Sequence, residues 1–328
     1  MVPWPVAVAD AVYTRGVHPL LSALTAPLHD AVPLSLAAAL LMVFLIVFLL
    51  GLLSGDGGRR VAFGLLGWWL ALAVFTFPLT FGLGYRTTTL EERLGLDVTA
   101  PGAPTQESTA AAAQSVLAVL QESSATLGTV NASFGTEPAA AAARCLSGFL
   151  QSRDLPGGST LPSVVKSVPE GVLLRFGPSG IVYPWLLEPH VDPGMPVHAT
   201  TQVALHELAH AAGYAREAEA EALALLAGLE CGDPRVRYAS ALAAARAVSR
   251  TLPAAAAAEY TAQWPDGAAD DLAAISSAQN SFRWDAVADA MWSVYDKYLV
   301  AQGSAEGIAD YSRATTILVK SLAGSASF

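Results

Sequence analysis

The chain of 328 residues is 14% charged and 53% apolar, and its formal net charge is −10. Ordinary soluble domains carry about 25% charged residues. These values exclude a disordered chain, a coiled-coil rod and a polybasic nucleic-acid binder, so no nucleic-acid partner is expected.

Residues 1–33 hold Trp4, Tyr13 and several prolines, with Asp10, Arg15 and Asp30 as charges among apolar neighbours. Such a segment is expected to lie at a membrane interface or to pack on an outer domain. Residues 34–53 then read LSLAAALLMVFLIVFLLGLL, without a charge. At about 1.5 Å per residue this run spans roughly 30 Å, the thickness of a bilayer's hydrocarbon core. A second uncharged block, VAFGLLGWWLALAVFTFPLTFGLGY, covers residues 61–85. Buried core helices seldom need apolar residues on every face. Residues 34–85 are therefore predicted as two transmembrane helices, 34–54 and 61–83, with the lipid bilayer as a partner. The first begins too late and runs too long for a cleaved signal peptide. Only residues 55–60 connect the two, which implies a tight hairpin. The paired Arg59 and Arg60 place its loop in the cytoplasm and the flanking parts outside, although Arg15, Arg86 and Arg93 oppose that bias.

Residues 86–328 form the extramembrane domain. Pro101, Gly102 and Pro104 mark a linker, and residues 108–121 and 138–151 read as alanine-rich helices. The run VLLRF at 172–176, a turn at 177–180, and Ile181, Val182 and Tyr183 predict a β-hairpin. Beyond Pro196 the chain is helical almost to its end, with breaks near Gly213, 231–234, 263–267 and Gly303. Cys145 and Cys231 are the only cysteines; a disulfide and two unpaired thiols are both compatible with their spacing.

The informative stretch is TTQVALHELAHAAG at 200–213. Its centre, His206-Glu207-x-x-His210, has the form HExxH. Positions i and i+4 lie one above the other on a helix, so both imidazoles can reach one ion. Glu207 is turned away enough to serve water rather than metal, as a general base and then a general acid. No other charge lies in this helix, and two histidines and a glutamate in apolar surroundings need partners to offset desolvation. A cation supplies one. A tetrahedral site requires a third protein ligand, and Gly213 can turn the chain toward Glu217, Glu219 and Glu221. Glu217 and Glu221 share a helix face. Glu217 is the preferred ligand, with Glu221 holding a histidine N–H or standing as the alternative ligand. Glu219 points elsewhere and is expected on a solvated face.

The run HELAHAAGYAREAEAEALALLAG and the upstream GIVYPWLLEPHVDP resemble the bacterial domain-of-unknown-function 3810 family. PLSLAAALL, GLGYRTTTLEERLGL and YDKYLVAQGSAEGIADYSRA extend the likeness along nearly the whole chain. The resemblance implies a membrane-bound, gluzincin-like zinc metallopeptidase. The related E-x-x-A-[DN] pattern implies Glu217 as zinc ligand, whereas Glu221 stands where such families carry Asp or Asn.

Zincins commonly hold a peptide as an added strand beside the metal helix, a role for which Gly180, Ile181, Val182 and Tyr183 are placed. A donor to the reacting carbonyl is sought among Tyr214, His190, His198, Arg216 and Tyr311, the last favoured for its place in the family-like C-terminal segment. The aromatic set Trp284, Trp292, Tyr295 and Tyr298 reads as core. The expectation is a mainly α protein: a transmembrane hairpin followed by a zincin-like α+β metallopeptidase domain with a small sheet. It would bind Zn2+ and cleave peptides or membrane-proximal proteins outside the bacterial cytoplasmic membrane. The alternatives are a zinc-stabilised sensor or binding domain without catalysis, and an amidase acting on cell-wall peptides.

Overall fold

A computed structural model of the chain describes residues 4–96, 104–127, 136–302 and 311–324. The expected linker at Pro101 and Gly102 and the break at Gly303 lie outside the described residues. The N-terminal segment is helical: α1 (Val6–Ala9) runs into a π-helical stretch (Asp10–Val17) and then α2 (His18–Ala31). It packs on the domain. Asp10 accepts a hydrogen bond from the Thr88 backbone N–H at 3.1 Å and pairs with Arg93 at 2.9 Å. His18 Nε2 donates to the Ala211 carbonyl at 2.9 Å, because a carbonyl only accepts.

The helices α3 (Leu36–Leu53) and α4 (Gly55–Thr80) are long and apolar enough to cross a membrane. Their outer faces are bare: Trp68 is 78% and Phe75 79% exposed. The expected loop at 55–60 is absent, because the chain turns at Ser54 and those residues form the first turns of α4. Asp56 suits a helix N-terminus, and Arg59 Nε donates to the Leu52 carbonyl at 3.3 Å, satisfying the end of α3. The second apolar helix also stops earlier than expected. Pro78 removes a backbone donor near its end, and a 3-10 turn (Gly82–Arg86) follows.

After α5 (Leu90–Arg93), closed by a capping box between Thr89 and Glu92, come α6 (Gln106–Leu127) and α7 (Thr136–Ser152). Three short strands then form one sheet: β1 (Lys166–Ser167), β2 (Gly180–Tyr183) and β3 (Glu188–Val191), in the order β1-β3-β2. β1 pairs with β3 in parallel and β2 with β3 antiparallel, Tyr183 facing Glu188. The hairpin is thus formed by β2 and β3, and the expected first strand is not one. Residues 174–176 make a 3-10 turn. The cause is Asp192, fully buried, whose carboxylate accepts from the N–H groups of Gly171, Leu173, Leu174 and Gly194 at 2.7, 2.8, 3.2 and 2.9 Å. These amides wrap around one side chain instead of entering a ladder.

The helices α8 (Val197–Ala211), α9 (Glu217–Leu229), α10 (Pro234–Ser249), α11 (Ala254–Thr261), α12 (Ala268–Phe282), α13 (Asp285–Gln302) and α14 (Tyr311–Gly324) complete the fold. α9 is the core helix: every residue except Glu221 is buried, against α7, α8, α10 and α14. Its alternating alanines let those neighbours approach closely. Cys145 on α7 and Cys231 after α9 form a disulfide, resolving the two readings of the sequence.

A buried polar joint fastens the sheet to α3. Glu188 on β3 is fully buried and accepts from the N–H groups of Leu36 and Ala37 at 2.9 and 2.7 Å. Ser35 caps the Ala38 N–H at 2.9 Å. Lys166 on β1 donates to the carbonyls of His29 and Val32 at 2.7 and 2.6 Å, closing the end of α2. Burial lowers the pKa of that lysine. Both free helix ends therefore terminate on strand side chains.

Candidate metal centre

The HExxH motif occupies the last turns of α8. A Schellman arrangement stops that helix: the Gly213 N–H bonds to His210 O at 3.0 Å and the Tyr214 N–H to Ala209 O at 3.2 Å. Gly213 adopts φ 100°, which a side chain would strain. The chain reverses there, and Glu217 at the start of α9 is carried back over His206 and His210.

Three ligand atoms, one from each of His206, His210 and Glu217, lie within 4.8 Å of one another, the one such group among the described residues. His206 Nε2 is 3.2 Å from Glu217 Oε2, and His210 Nε2 is 3.5 Å from Glu217 Oε1. The opposite ring nitrogens are already engaged. His206 Nδ1 meets Glu221 at 2.9 Å, and His210 Nδ1 donates to the Tyr214 carbonyl at 2.8 Å. Such contacts fix the tautomer with the Nε2 lone pairs inward. Two imidazoles and a carboxylate make a borderline donor set of the kind that suits zinc, and three protein ligands leave a position open. Glu221 thus stands beyond the ring of His206 rather than among the converging atoms.

Electrostatics reinforce the convergence. Burial pushes the Glu217 carboxyl upward, but His210 and His206 hold it well below the ordinary range. Burial disfavours charge on His206, yet Glu217 and Glu221 raise its pKa well above that of a free imidazole.

Glu207 is 6% exposed, and its carboxylate accepts no hydrogen bond among the described residues. Burial pushes it up to about 7, against the pull of His206 and His210. It borders a cavity of about 740 Å³ that also reaches His206 and Glu221. Gly180 at the start of β2 touches it: a Cβ there would lie 2.6 Å from Glu207 Oε1. β2 is one of the two edge strands of the sheet, so the residues expected to receive a peptide sit at an edge whose first residue, Gly180, lies beside Glu207.

Residues 13–319 match the family described as a protein of unknown function (DUF3810). The chain belongs to that family. No curated protein and no solved structure matches it. The DUF3810 match spans both apolar helices, the histidine–glutamate cluster and the residues lining the cavity.

The remaining candidates of this DUF3810 protein are scattered. His190 belongs to the joint beneath α3, bonded to Ser35 Oγ at 2.8 Å. Tyr214 donates to Pro156 O at 3.2 Å, and only its carbonyl serves the centre. Arg216 donates to the Tyr85 and Thr87 carbonyls at 2.9 and 2.8 Å and pairs with Glu219 at 2.6 Å. Glu219 is therefore not on a solvated face. It is 2% exposed, because its carboxylate also receives the Leu90 N–H at 3.2 Å. His198 lines the cavity. Tyr311 opens α14, and its side chain lies outside the described residues. One residue escaped the sequence reading: the Tyr295 hydroxyl, from α13, donates to Glu217 Oε1. Of its aromatic neighbours only Tyr298 packs as expected, on Phe77 and Tyr85, whereas Trp284 is 55% exposed and Trp292 lines the cavity, so those two are not core. Nothing in its local pattern separates Tyr295 from them.

Proposed function

We propose that this DUF3810 protein is a membrane-anchored zinc metallopeptidase. The observation that carries the reading is the inward convergence of His206 Nε2, His210 Nε2 and Glu217, with Glu207 beside them on the wall of a large cavity. Those three residues would hold the ion. A zinc ion there supplies a Lewis acid that acidifies water and polarises a peptide carbonyl.

The chain's own groups do the rest. Glu207, buried and without a hydrogen-bond donor among the described residues, takes the proton of the attacking water and delivers it to the leaving amine. Glu221 and the Tyr214 carbonyl hold the two rings in register. Tyr295 fixes the Glu217 carboxylate. The edge of β2 aligns a substrate backbone across the catalytic carboxylate by strand addition. The disulfide between Cys145 and Cys231 supports a position of this domain outside the cytoplasmic membrane, since such bonds persist in oxidising compartments. Arg59 and Arg60 at the tip of the apolar hairpin support the same orientation. Membrane-proximal peptides and proteins are the corresponding substrates.

The test is purified full-length protein in detergent, assayed for metal content and for cleavage of a mixed peptide library. Stoichiometric zinc with cleavage that Glu207→Gln abolishes supports the reading. Cleavage unchanged in that variant, with zinc retained, sinks the mechanism.

A further inference from the structure

The cavity beside Glu207 has a second chemical feature, which the peptidase chemistry does not use. Its wall carries half-buried Arg246 in the last turn of α10 and exposed Arg250 at the C-cap of that helix. They are one turn apart, a spacing at which like charges on a helix repel. Neither side chain has a hydrogen-bond or ion-pair partner among the described residues, although Glu207 and Glu221 line the same cavity. Burial lowers the Arg246 pKa, and the charge of Arg250 adds to that effect. The negative end of α10 favours cations in its last turn and offsets part of this cost.

A buried amide adds an independent sign. Gln202, on α8 one turn before His206, is 8% exposed and lines the cavity. Its Oε1 accepts from Ser240 Oγ at 2.7 Å, which leaves Nε2 as a donor without a partner. An amide donor left unpaired in a buried wall is costly unless a ligand completes it. Two guanidiniums and an amide N–H offer only donors. The volume of about 740 Å³ is that of a pocket for a small molecule or a short peptide.

We propose that this cavity selects substrates carrying a carboxylate, which Arg246 and Arg250 bind jointly and toward which Gln202 donates. The inference rests on the peptidase reading in taking the ligand to be a peptide. The carboxylate has two sources, the free C-terminus of a peptide and an internal Asp or Glu side chain. Planar guanidiniums are matched to such a group in a way that lysine ammoniums are not.

Equilibrium binding tests this without turnover. Full-length zinc-loaded protein carrying Glu207→Gln is titrated with three dansyl-labelled, alanine-rich hexapeptides followed by anisotropy. One has a free C-terminal carboxylate, one is amidated and uncharged, and one is amidated with an internal Glu. At least one acidic peptide is expected to bind about tenfold or more tightly than the uncharged one. Adding Arg246→Gln and Arg250→Gln together should abolish that preference while binding of the uncharged peptide stays within about twofold. The Arg246→Lys, Arg250→Lys pair should recover only part of it. Unchanged thermal unfolding shows that the variants fold. Which acidic peptide binds tighter identifies the source of the carboxylate. Equal binding of all three peptides, or a preference that survives the double Gln substitution, overturns the proposal. Arginine-dependent binding by a native protein that cleaves nothing would instead remove the peptidase reading and leave the carboxylate site standing.

Discussion

Glu217 and Glu188 are both buried carboxylates flanked by two imidazoles, but the atoms around them are disposed in opposite ways. At Glu188 the two oxygens are taken by backbone N–H groups at the start of α3, at 2.9 and 2.7 Å. His29 and His190 stand off at 3.7 and 3.8 Å. Their Nε2 atoms are engaged elsewhere, with Leu186 O and Ser35 Oγ, each at 2.8 Å. At Glu217 the imidazole nitrogens themselves come to 3.2 and 3.5 Å of the carboxylate oxygens. The histidine Nε2 atoms face the carboxylate, while their Nδ1 atoms are held from behind. The same residue types thus build a backbone-bound joint in one place and a convergent donor set in the other. What separates them is the direction of lone pairs, which composition does not record.

The comparison can be broken by exchanging the consequences of mutation. Glu207→Gln should lower kcat/KM for a cleaved peptide by about 10²–10⁴-fold, the usual worth of a general base, with zinc content unchanged. His206→Gln and His210→Gln should lose the metal, while His29→Gln and His190→Gln should keep it at full stoichiometry. Metal lost from the second pair would mean the joint is a site as well. The pH profile adds a signed test. Burial pushes the Glu207 carboxyl up to about 7, and a dication held beside it would pull it down. A base works deprotonated, so activity should fall as pH drops through a limb at or below about 7. Glu207→Gln should remove that limb.

Glu188→Ala tests the other side. It removes the acceptor for two helix N–H groups in a dry environment. Leaving such groups unpaired, together with the loss of a buried charged acceptor, costs about 2–5 kcal/mol. Chemical denaturation should report that loss, and the protein that remains folded should still carry one zinc. An undiminished stability would show that the joint does not hold α3 to the sheet.

Much of the histidine–glutamate cluster was legible because its parts are local. Spacing alone stacks His206 over His210, and one turn at Gly213 returns the chain so that Glu217 arrives within a dozen residues. The apolar hairpin was legible for the same reason, being a property of contiguous composition. What stayed hidden depends on partners far along the chain. Tyr295 reaches Glu217 across 78 residues. Glu219 is buried because Arg216 and the Leu90 amide, 129 residues away, converge on it. The misplaced hairpin has a similar origin. VLLRF has a strand's composition, yet Asp192 draws off the amides that a ladder would need, and a single-residue acceptor leaves no periodic trace.

Within the centre, the groups behind the ligands rank below the ligands themselves. Glu221→Gln keeps the shape but weakens the hold on His206 Nδ1, and losses of about 10–100-fold in zinc affinity are typical for such supports. Competition with a chromophoric chelator would read it. A loss as complete as that of Glu217→Gln would mean that Glu221 binds the metal directly and that the ranking of the two glutamates is inverted.

Tyr295→Phe should have the smallest effect, and the reason is geometric. Its hydroxyl donates to Glu217 Oε1, whereas Oε2 is the oxygen nearer His206. Removing the donor takes one partner from Oε1, which still faces His210 Nε2 at 3.5 Å, and leaves Oε2 untouched. A hydrogen bond to a charged acceptor contributes about 1.5–3 kcal/mol, and a carboxylate free to rotate can regain part of that by presenting both oxygens to the ion. The expected loss in zinc affinity is therefore about tenfold or less, below that of Glu221→Gln, with the fold intact because the ring still stacks on Tyr298. A larger loss than that of Glu221→Gln would show that α13, and not α9 alone, sets the position of the third ligand. No change at all would show that the hydroxyl leaves Glu217 once the metal is bound, freeing it to face the substrate.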